Sequence, residues 1–363
     1  MPIEPREELQ KLSDYVPGKS IEEICESYGL KQAVKLASNE NPWGTSPKAR
    51  AAFCKMAESL HLYPRGNAPA LVQALAAKYG VGPENLIIGN GSDEVIDLIG
   101  KAFIRKGDVC VGVVPTFSVY EFVTLSSGGE FRPFEAGAGK ADLRALAKSL
   151  EPDVRVVFLC NPNNPTGAYY SEREIVEFLG LMPAGTLLFL DEAYAEFATA
   201  EDYPKLANRL EDFPNLFLNR TFSKIYGLAG LRLGYGLACP DIIRHLWKVK
   251  PPFDVNIAVQ AAALAALGDE EFVQGTWRNN ALGKWNLTEG LAGLGFEVLP
   301  SEANFVCVHV GPEAEALVKF LEARGMIVRL LKSFGMPEWL RVTVGRPEEN
   351  AEFLSLVKEW QHA

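Results

Sequence analysis

Apolar positions along the chain fall into two rhythms. In the first, short blocks that are apolar almost throughout recur between longer stretches of helical spacing. These are ENLIIG ending at Gly89, DVCVGVV from Asp108, VRVVFLC from Val154, TLLFL from Thr186, NLFLN from Asn215 and LRLGYGLA from Leu231. A strand that is apolar at every position is buried on both faces, so the blocks predict a mainly parallel sheet covered by helices on both sides. The intervening stretches carry helix signals. Ala68 to Tyr79 is apolar at helical spacing and stops at Gly80; the turn Gly89-Asn90-Gly91 opens a helix at Ser92; another starts at Phe117; and Ser171 with Glu174 has the spacing of a capping box. Between residues 250 and 260 the rhythm changes. Helical patterns from Asn256 lead into GFEVLP, NFVCVHV, MIVRL and LRVTVG, short strands with helices between them, which predict a smaller α/β unit. Toward the N-terminus, YVPGKS from Tyr15 reads as extended, Ser20 with Glu23 as a capping box, and Ser46-Pro47 as the cap and first position of a helix after a loop.

Composition narrows the classes this pattern leaves open. A chain of 363 residues suits about two domains, and 48% apolar residues supply a large core. No apolar run approaches the roughly 18–20 residues of a spanning helix. The opening MPIEPREELQKL lacks the basic start and apolar core of a signal peptide. Net charge is −10 with no basic block, which argues against nucleic acid as a partner. The six cysteines and four histidines are scattered, with no CxxC pair and no metal-ligand spacing. The expectation is a cytoplasmic, metal-free protein with reduced thiols and no membrane partner.

The chemistry gathers in RTFSKIYGLAGLRLGYG, from Arg220 to Gly236. Lys224 stands there between Thr221 and Ser223 on one side and Arg232 on the other. A desolvated amine in such a turn is what imine chemistry with a carbonyl requires. The hydroxyls and the guanidinium suit an anion, most simply a phosphate ester. An aldehyde for the lysine and a phosphate for its neighbours together suggest pyridoxal phosphate. Asp191 ends the strand block TLLFL, at a carboxyl end of the sheet where α/β folds place ligands, and a buried carboxylate there can keep a pyridine nitrogen protonated. Taken alone, a strand-end aspartate is commonly a cap, and a lone serine-lysine pair is commonly an exposed loop. Gly91-Ser92, between a strand and a helix, turns backbone N–H groups toward an anion; Asp93 beside them also suits the dipole of a helix's first turn.

Two further segments, NPNNPTG from Asn161 and DEAY from Asp191, precede Lys224 in the order shown by the fold-type I pyridoxal-phosphate aminotransferases. Within that superfamily the chain most resembles the histidinol-phosphate aminotransferases, through KLASNENPWGTSP, NGSDE, PPFDVN, SEANF and LRVTVG as well. The resemblance spans nearly the whole chain. It implies an α/β fold-type I transferase: a large cofactor-binding domain over 46–255, and a discontinuous small domain of 1–45 and 256–363 that includes the N-terminal entrance segment. It implies that Lys224 forms the resting linkage and then shuttles the proton, that Tyr194 and Asn164 donate to the cofactor's phenolic oxygen, and that Phe117 stacks on its ring. Thr221, Ser223 and Arg232 join Gly91, Ser92 and Asp93 around the phosphate, and Tyr63 reaches the phosphate of a neighbouring subunit in a homodimer. Arg341 and Arg329, with Tyr15, Asn39 and Asn304, are implied to receive the substrate; two arginines suit the phosphate dianion of histidinol phosphate better than one. Phe305 lines the same face, and Glu40 lies in the entrance segment. The sequence departs from the family pattern at Phe117, where some relatives have tyrosine, and at Trp43, where tyrosine or phenylalanine is usual; both keep an aromatic.

The implied reaction exchanges an amino group between L-histidinol phosphate and 2-oxoglutarate, giving imidazole acetol phosphate and L-glutamate in histidine biosynthesis. An aromatic amino acid aminotransferase or a threonine-phosphate decarboxylase would use the same machinery. A non-catalytic cofactor-binding regulator is the alternative from another class; the complete catalytic set, and a start with no DNA-binding extension, weigh against it. No strand is followed by GxGxxG or GxxxxGK, which excludes the common nucleotide cradles.

Overall fold

In a computed structural model that describes residues 3–12 and 18–362, helices and strands follow one another along the chain. The helices are α1 (Ile21–Tyr28), α2 (Pro47–Lys55), α3 (Pro69–Tyr79), α4 (Ser92–Phe103), α5 (Val119–Ser126), α6 (Leu143–Ser149), α7 (Glu172–Leu181), α8 (Pro240–Val249), α9 (Ile257–Leu267), α10 (Glu270–Gly293), α11 (Ala314–Glu322) and α12 (Pro347–Trp360). The strands are β1 (Val34–Lys35), β2 (Leu86–Gly89), β3 (Val109–Val114), β4 (Glu130–Glu135), β5 (Val154–Cys160), β6 (Leu187–Asp191), β7 (Leu216–Thr221), β8 (Gly234–Ala238), β9 (Glu297–Leu299), β10 (Phe305–His309), β11 (Met326–Ile327), β12 (Arg329–Leu330) and β13 (Trp339–Thr343).

A seven-stranded sheet in the order β2-β8-β7-β6-β5-β3-β4 forms the centre. Its inner strands are largely apolar because they alternate between two cores. Val157, Leu159, Leu188, Leu190, Leu216 and Leu218 face one core with α3, α6, α7 and α9, while Val156, Phe158, Leu187, Phe189 and Phe217 face the other with α4, α5 and α8. Pairings from β4 across to β7 are parallel; β8 runs antiparallel to both β7 and β2. The polar block EFRPFE that forms β4 gave no strand signal. It lies at the sheet edge, the position that tolerates Pro133 and charged side chains.

The second rhythm builds a four-stranded antiparallel sheet, β12-β13-β10-β9, whose core comes from α10, α11 and α12. MIVRL is not one strand. Its first half pairs in parallel with β1 and its second half with β13, so Val328 marks the switch between two sheets. Through β1 the N-terminal segment joins this C-terminal unit. Helix α9 follows the change of rhythm near 250–260, yet its Val259, Ala262, Ala263 and Ala266 pack into the core of the large sheet rather than the small one.

The expected caps form: Ser20 with Glu23 and Ser171 with Glu174 close capping boxes, and Ser46 accepts from Ala49 with Pro47 behind it. Helix α5 begins two residues after the expected Phe117, at Val119. Among the described residues no helix is long and apolar enough to cross a membrane, and no group of three or more His, Cys, Asp or Glu is placed to hold a metal ion.

Candidate active site

The carboxyl ends of β5, β6 and β7 lie side by side, with Cys160 opposite Asp191 and Asp191 opposite Asn219. Lys224 sits in the loop that leaves β7. Its amine donates to the Ser38 carbonyl (3.3 Å) and lies 5.5 Å from the centre of the Tyr194 ring. Burial is the main cause that brings its pKa down to about 8; the Arg341 and Arg232 guanidinium groups add to this, and Glu40 and Asp93 oppose it. An amine that loses its proton so near neutrality can act both as nucleophile and as proton carrier.

Asp191 is buried at the last position of β6. One carboxylate oxygen accepts from the Tyr120 hydroxyl (2.7 Å) and the other from the Ala193 N–H (3.1 Å). Burial raises its pKa to about 6, against the pull of these hydrogen bonds, so it is an anion at neutral pH. Tyr120 is wholly buried and stacks on Phe158 (5.0 Å between ring centres). Sequence reasoning missed it, because an aromatic on a helix reads as core and its hydroxyl partner lies 71 residues away.

On the other side of Lys224, β8 runs against the start of α4. A Cβ at Gly234 would stand 2.4 Å from the Ser92 nitrogen, so only glycine lets the two backbones approach. Gly91 has φ +86°, and a Cβ there would strike the Arg232 guanidinium at 2.6 Å. Thr221 donates to Ser223 Oγ (2.9 Å) and accepts from the Ser223 N–H (3.1 Å). Arg232 pairs with Asp93 (2.7 Å). The turn, two hydroxyls and a guanidinium thus converge on the first turn of α4, a donor set for an anion.

The facing wall comes from the N-terminal segment and the small sheet. Buried Arg341 donates through Nη1 to Asn164 Oδ1 and through Nη2 to the Ala37 carbonyl (2.7 Å), and it covers the Phe305 ring. Arg329 is its direct partner across β12 and β13, so both project from one face of the sheet, but Arg329 is only half-buried and reaches Ser333 (3.3 Å). Asn39, at φ +54°, donates through its side chain to the Tyr194 hydroxyl (3.0 Å), and its carbonyl accepts from Asn304 (3.1 Å). Burial raises the Tyr194 pKa to about 12, which keeps its phenol proton in place. Phe305 meets Tyr194 edge-on (5.3 Å).

The asparagines of NPNNPTG divide by role. Asn161 exchanges two hydrogen bonds with the Tyr170 backbone, and Asn163 ties Pro115, Thr116 and Thr166 together, so only Asn164 turns toward Arg341. Phe117 packs edge-on against Tyr120 (5.9 Å). Tyr63 is 83% exposed and lies on Phe253 (5.0 Å), apart from the cluster around Lys224. Glu40 pairs with Lys35 (3.3 Å). Tyr15 falls outside the described residues. Three more groups that the motifs did not single out support the site. Asn41 donates to the Lys224 and Ile225 carbonyls; Thr343 binds Asn39; and Arg220, joined to Glu192 (2.8 Å) and Glu196 (3.2 Å), ties the ends of β6 and β7 together.

Known proteins resemble this chain along nearly its whole length. The model of the family "Aminotransferase class I and II" matches residues 31–357. A histidinol-phosphate aminotransferase 2 of Carboxydothermus hydrogenoformans is 43% identical over 354 residues, 97% of this chain and 98% of its own. A histidinol-phosphate aminotransferase of Moorella thermoacetica is 44% identical over 98% of this chain and 92% of its own. The crystal structure of histidinol-phosphate aminotransferase from Sinorhizobium meliloti, in complex with pyridoxal-5'-phosphate, superposes with a TM-score of 0.90 at 28% identity and covers 98% of this chain and 97% of that one. The chain therefore belongs to the class I and II aminotransferases and, within them, to the histidinol-phosphate aminotransferase family.

Proposed function

We propose that the site binds pyridoxal 5'-phosphate and moves an amino group between L-histidinol phosphate and 2-oxoglutarate, in the cytoplasm and as a homodimer. The observation that carries this reading is Lys224: an amine with a pKa of about 8, held between an anion-binding turn, a buried aspartate and a buried arginine. The donor set suits the cofactor. Gly91, Ser92, Asp93, Thr221, Ser223 and Arg232 would hold its phosphate, Asp191 its pyridine nitrogen, Tyr194 and Asn164 its phenolic oxygen, and Phe117 its ring. When bound, the group supplies an aldehyde and an electron-accepting ring.

The chain's own residues do the rest. Lys224 would take the proton from the substrate carbon and return it on the far side of the nitrogen, to the carbon supplied by the cofactor's aldehyde, a task that suits an amine poised near neutrality. Asp191, buried and aimed by Tyr120, would hold a proton on the ring nitrogen. Arg341 and Arg329 would hold the substrate's phosphate dianion, with Asn39, Asn304 and Tyr15 beside them, and so orient the reacting carbon toward Lys224. Two domains follow the two sheets: a large one that includes α9, and a small one made of the N-terminal segment and the chain from α10 onward. Tyr63, Leu60, Leu62 and Phe253 expose aromatic and apolar surface on one side of the large domain, and we assign that surface to the subunit contact.

The test supplies pyridoxal phosphate to the purified protein, traps the lysine adduct by borohydride reduction and maps it by peptide mass. Amino donors are then compared with 2-oxoglutarate as acceptor. The expected outcome is an adduct on Lys224 and fastest glutamate formation from histidinol phosphate. Faster turnover of phenylalanine or tyrosine overturns the substrate; carbon dioxide release from threonine phosphate points to a decarboxylase; bound cofactor with no reaction leaves a non-catalytic binder.

A further inference from the structure

Behind the turn that faces the anion site lies a second group of ionisable side chains that the reaction does not use. Glu94, on the first turn of α4, accepts through Oε2 from the Asn90 N–H (2.5 Å), so its carboxyl closes the Gly89-Asn90-Gly91 turn from the inside. A Cβ at Gly89 would come within 3.2 Å of the same oxygen. Asp254, from the loop between α8 and α9, comes within interaction range of the Glu94 carboxyl. Asp254 Oδ1 pairs with Lys250 at the start of that loop, and the side chains of both are almost fully buried. Its other oxygen, Oδ2, is buried with no hydrogen-bond partner.

A half-buried carboxyl and a fully buried one share a single lysine, which leaves one negative charge too many, and an unpaired buried carboxylate oxygen is costly. A single proton removes both faults. Placed on Glu94, it donates to Asp254 Oδ2, while the remaining Glu94 oxygen still receives the Asn90 N–H. We propose that Glu94 is a neutral acid whose proton bridges to Asp254, and that this bridge positions the 89–92 turn by fastening it to the 250–256 loop. Glu94 and Asp254 are thus positioning residues for the anion-facing turn; the proposal rests on reading that turn as the cofactor's phosphate site.

The electrostatics point the same way. Burial, then the adjoining Asp254 carboxyl, raise the Glu94 pKa to about 7, with the Asn90 N–H and Lys250 opposing. Asp254 and Lys250 are the charged groups that bear on Glu94 from the neighbouring loop; Asp93, on the same turn, is engaged by Arg232. The fastened loop also carries Phe253, in the left-handed region at φ +60° against Tyr63, and ends in Asn256, the cap of α9. The bridge therefore connects the phosphate turn to the surface assigned to the partner subunit. A carboxyl raised in the folded state contributes most below its unfolded pKa of 4.5, and that contribution is lost as pH rises through about 7.

The test compares the wild-type chain with Glu94→Gln, Glu94→Ala and Asp254→Asn. Thermal midpoints are measured from pH 5.5 to 8.5 without cofactor, and affinity for pyridoxal phosphate is measured by absorbance at both ends of that range. Glu94→Gln reproduces the neutral acid, with an N–H for Asp254 and an oxygen for Asn90. Asp254→Asn offers the reverse arrangement and serves if Glu94→Gln fails to fold. Both should lie nearest the wild-type midpoint at pH 5.5 and exceed it by roughly 5 °C at pH 8.5, because the component lost between 4.5 and about 7 is gone. Glu94→Ala should be less stable throughout and bind the cofactor about tenfold more weakly, whereas Glu94→Gln stays within twofold of wild type at low pH and binds more tightly at high pH. If Glu94→Gln is as unstable as Glu94→Ala at pH 5.5, or if both conservative variants keep the wild-type pH dependence, the shared proton is overturned. If all variants bind pyridoxal phosphate as the wild type does, the positioning role is overturned. A wild type that takes up no pyridoxal phosphate overturns the cofactor reading, and with it the positioning role, while the midpoints still decide the proton.

Discussion

The two walls of the site are built on different footings. On one side Asp191 and the loop bearing Lys224 stand at the ends of β6 and β7, strands whose side chains are buried on both faces and whose ends Arg220 clamps with two carboxylates. On the other side the groups proposed to face the substrate come from the N-terminal segment and a four-stranded sheet. Polar contacts and one small apolar cluster of Tyr194, Ala303 and Phe305, rather than an extended shared core, attach them across the site; the polar ones include Arg341 to Asn164 and Ala37, and Asn39 to Tyr194. The difference separates tasks. Groups that move protons need fixed geometry and sit on the rigid wall. Groups that recognise an anion can ride on a wall that adjusts when ligand arrives. Because the connecting contacts are themselves site residues, recognition and chemistry are coupled through Arg341.

Replacing the amine of the rigid wall should have the largest effect. Lys224→Ala is expected to lower the rate of amino transfer by at least about 10³-fold, since nucleophile and proton carrier are lost together. The unfolding midpoint should change little, and a variant with more than a tenth of wild-type activity would sink the assignment. The facing wall should divide unequally. Arg341→Met removes a buried guanidinium and leaves Asn164 and the Ala37 carbonyl without it, so kcat/KM should fall roughly 10²–10³-fold. It also removes a cation that depresses the Lys224 pKa; the group should then titrate above about 8, and the rise in rate with pH should move to higher pH. Arg329→Met, at the more exposed partner, should cost about tenfold, chiefly in KM, with no shift of the pH profile. Equal effects from the two arginines would erase the distinction between them. Tyr120→Phe strips one hydrogen bond from a buried carboxylate, worth about 1.5 kcal/mol and hence roughly tenfold in rate if Asp191 acts on a bound ring. It should also raise the Asp191 pKa above about 6, readable as an upward shift in the acid limb of the pH–rate profile.

The rigid wall is also the one most legible in the sequence. All-apolar blocks announce strands buried on both faces, and their polar terminators, Asp191 and Thr221, mark where the sheet opens to a ligand. What stayed hidden depended on pairing across the fold. Tyr120 looks like any core aromatic until β6 brings Asp191 above it. MIVRL reads as one strand because nothing local tells Val328 that its two sides belong to different sheets. EFRPFE lacks apolar blocks because an edge strand need not be apolar. The helix α9, rich in alanine and without polar punctuation, could pack against either core, and only contact with the large sheet decides it.

The smallest expected effect separates the two regions without touching the chemistry. Ser171 and Ser20 close the same capping box, Ser171 on α7 over the large core and Ser20 on α1 beside the entrance segment. Helix α7 buries Ile175, Phe178 and Leu179, whereas α1 buries Ile24 alone among its described positions. A cap lost from α7 must be borne by the cooperative core, so Ser171→Ala should cost about 1 kcal/mol and lower the melting midpoint by roughly 2–4 °C. A cap lost from α1 can be relieved by local fraying. Ser20→Ala should leave the midpoint within about 1 °C and show instead as faster amide exchange confined to residues 20–28, because a segment with little buried surface opens on its own before the domain does. Equal falls in the midpoint would mean that α1 belongs to the same cooperative unit as the large sheet, and that the entrance wall is as rigid as the wall it faces.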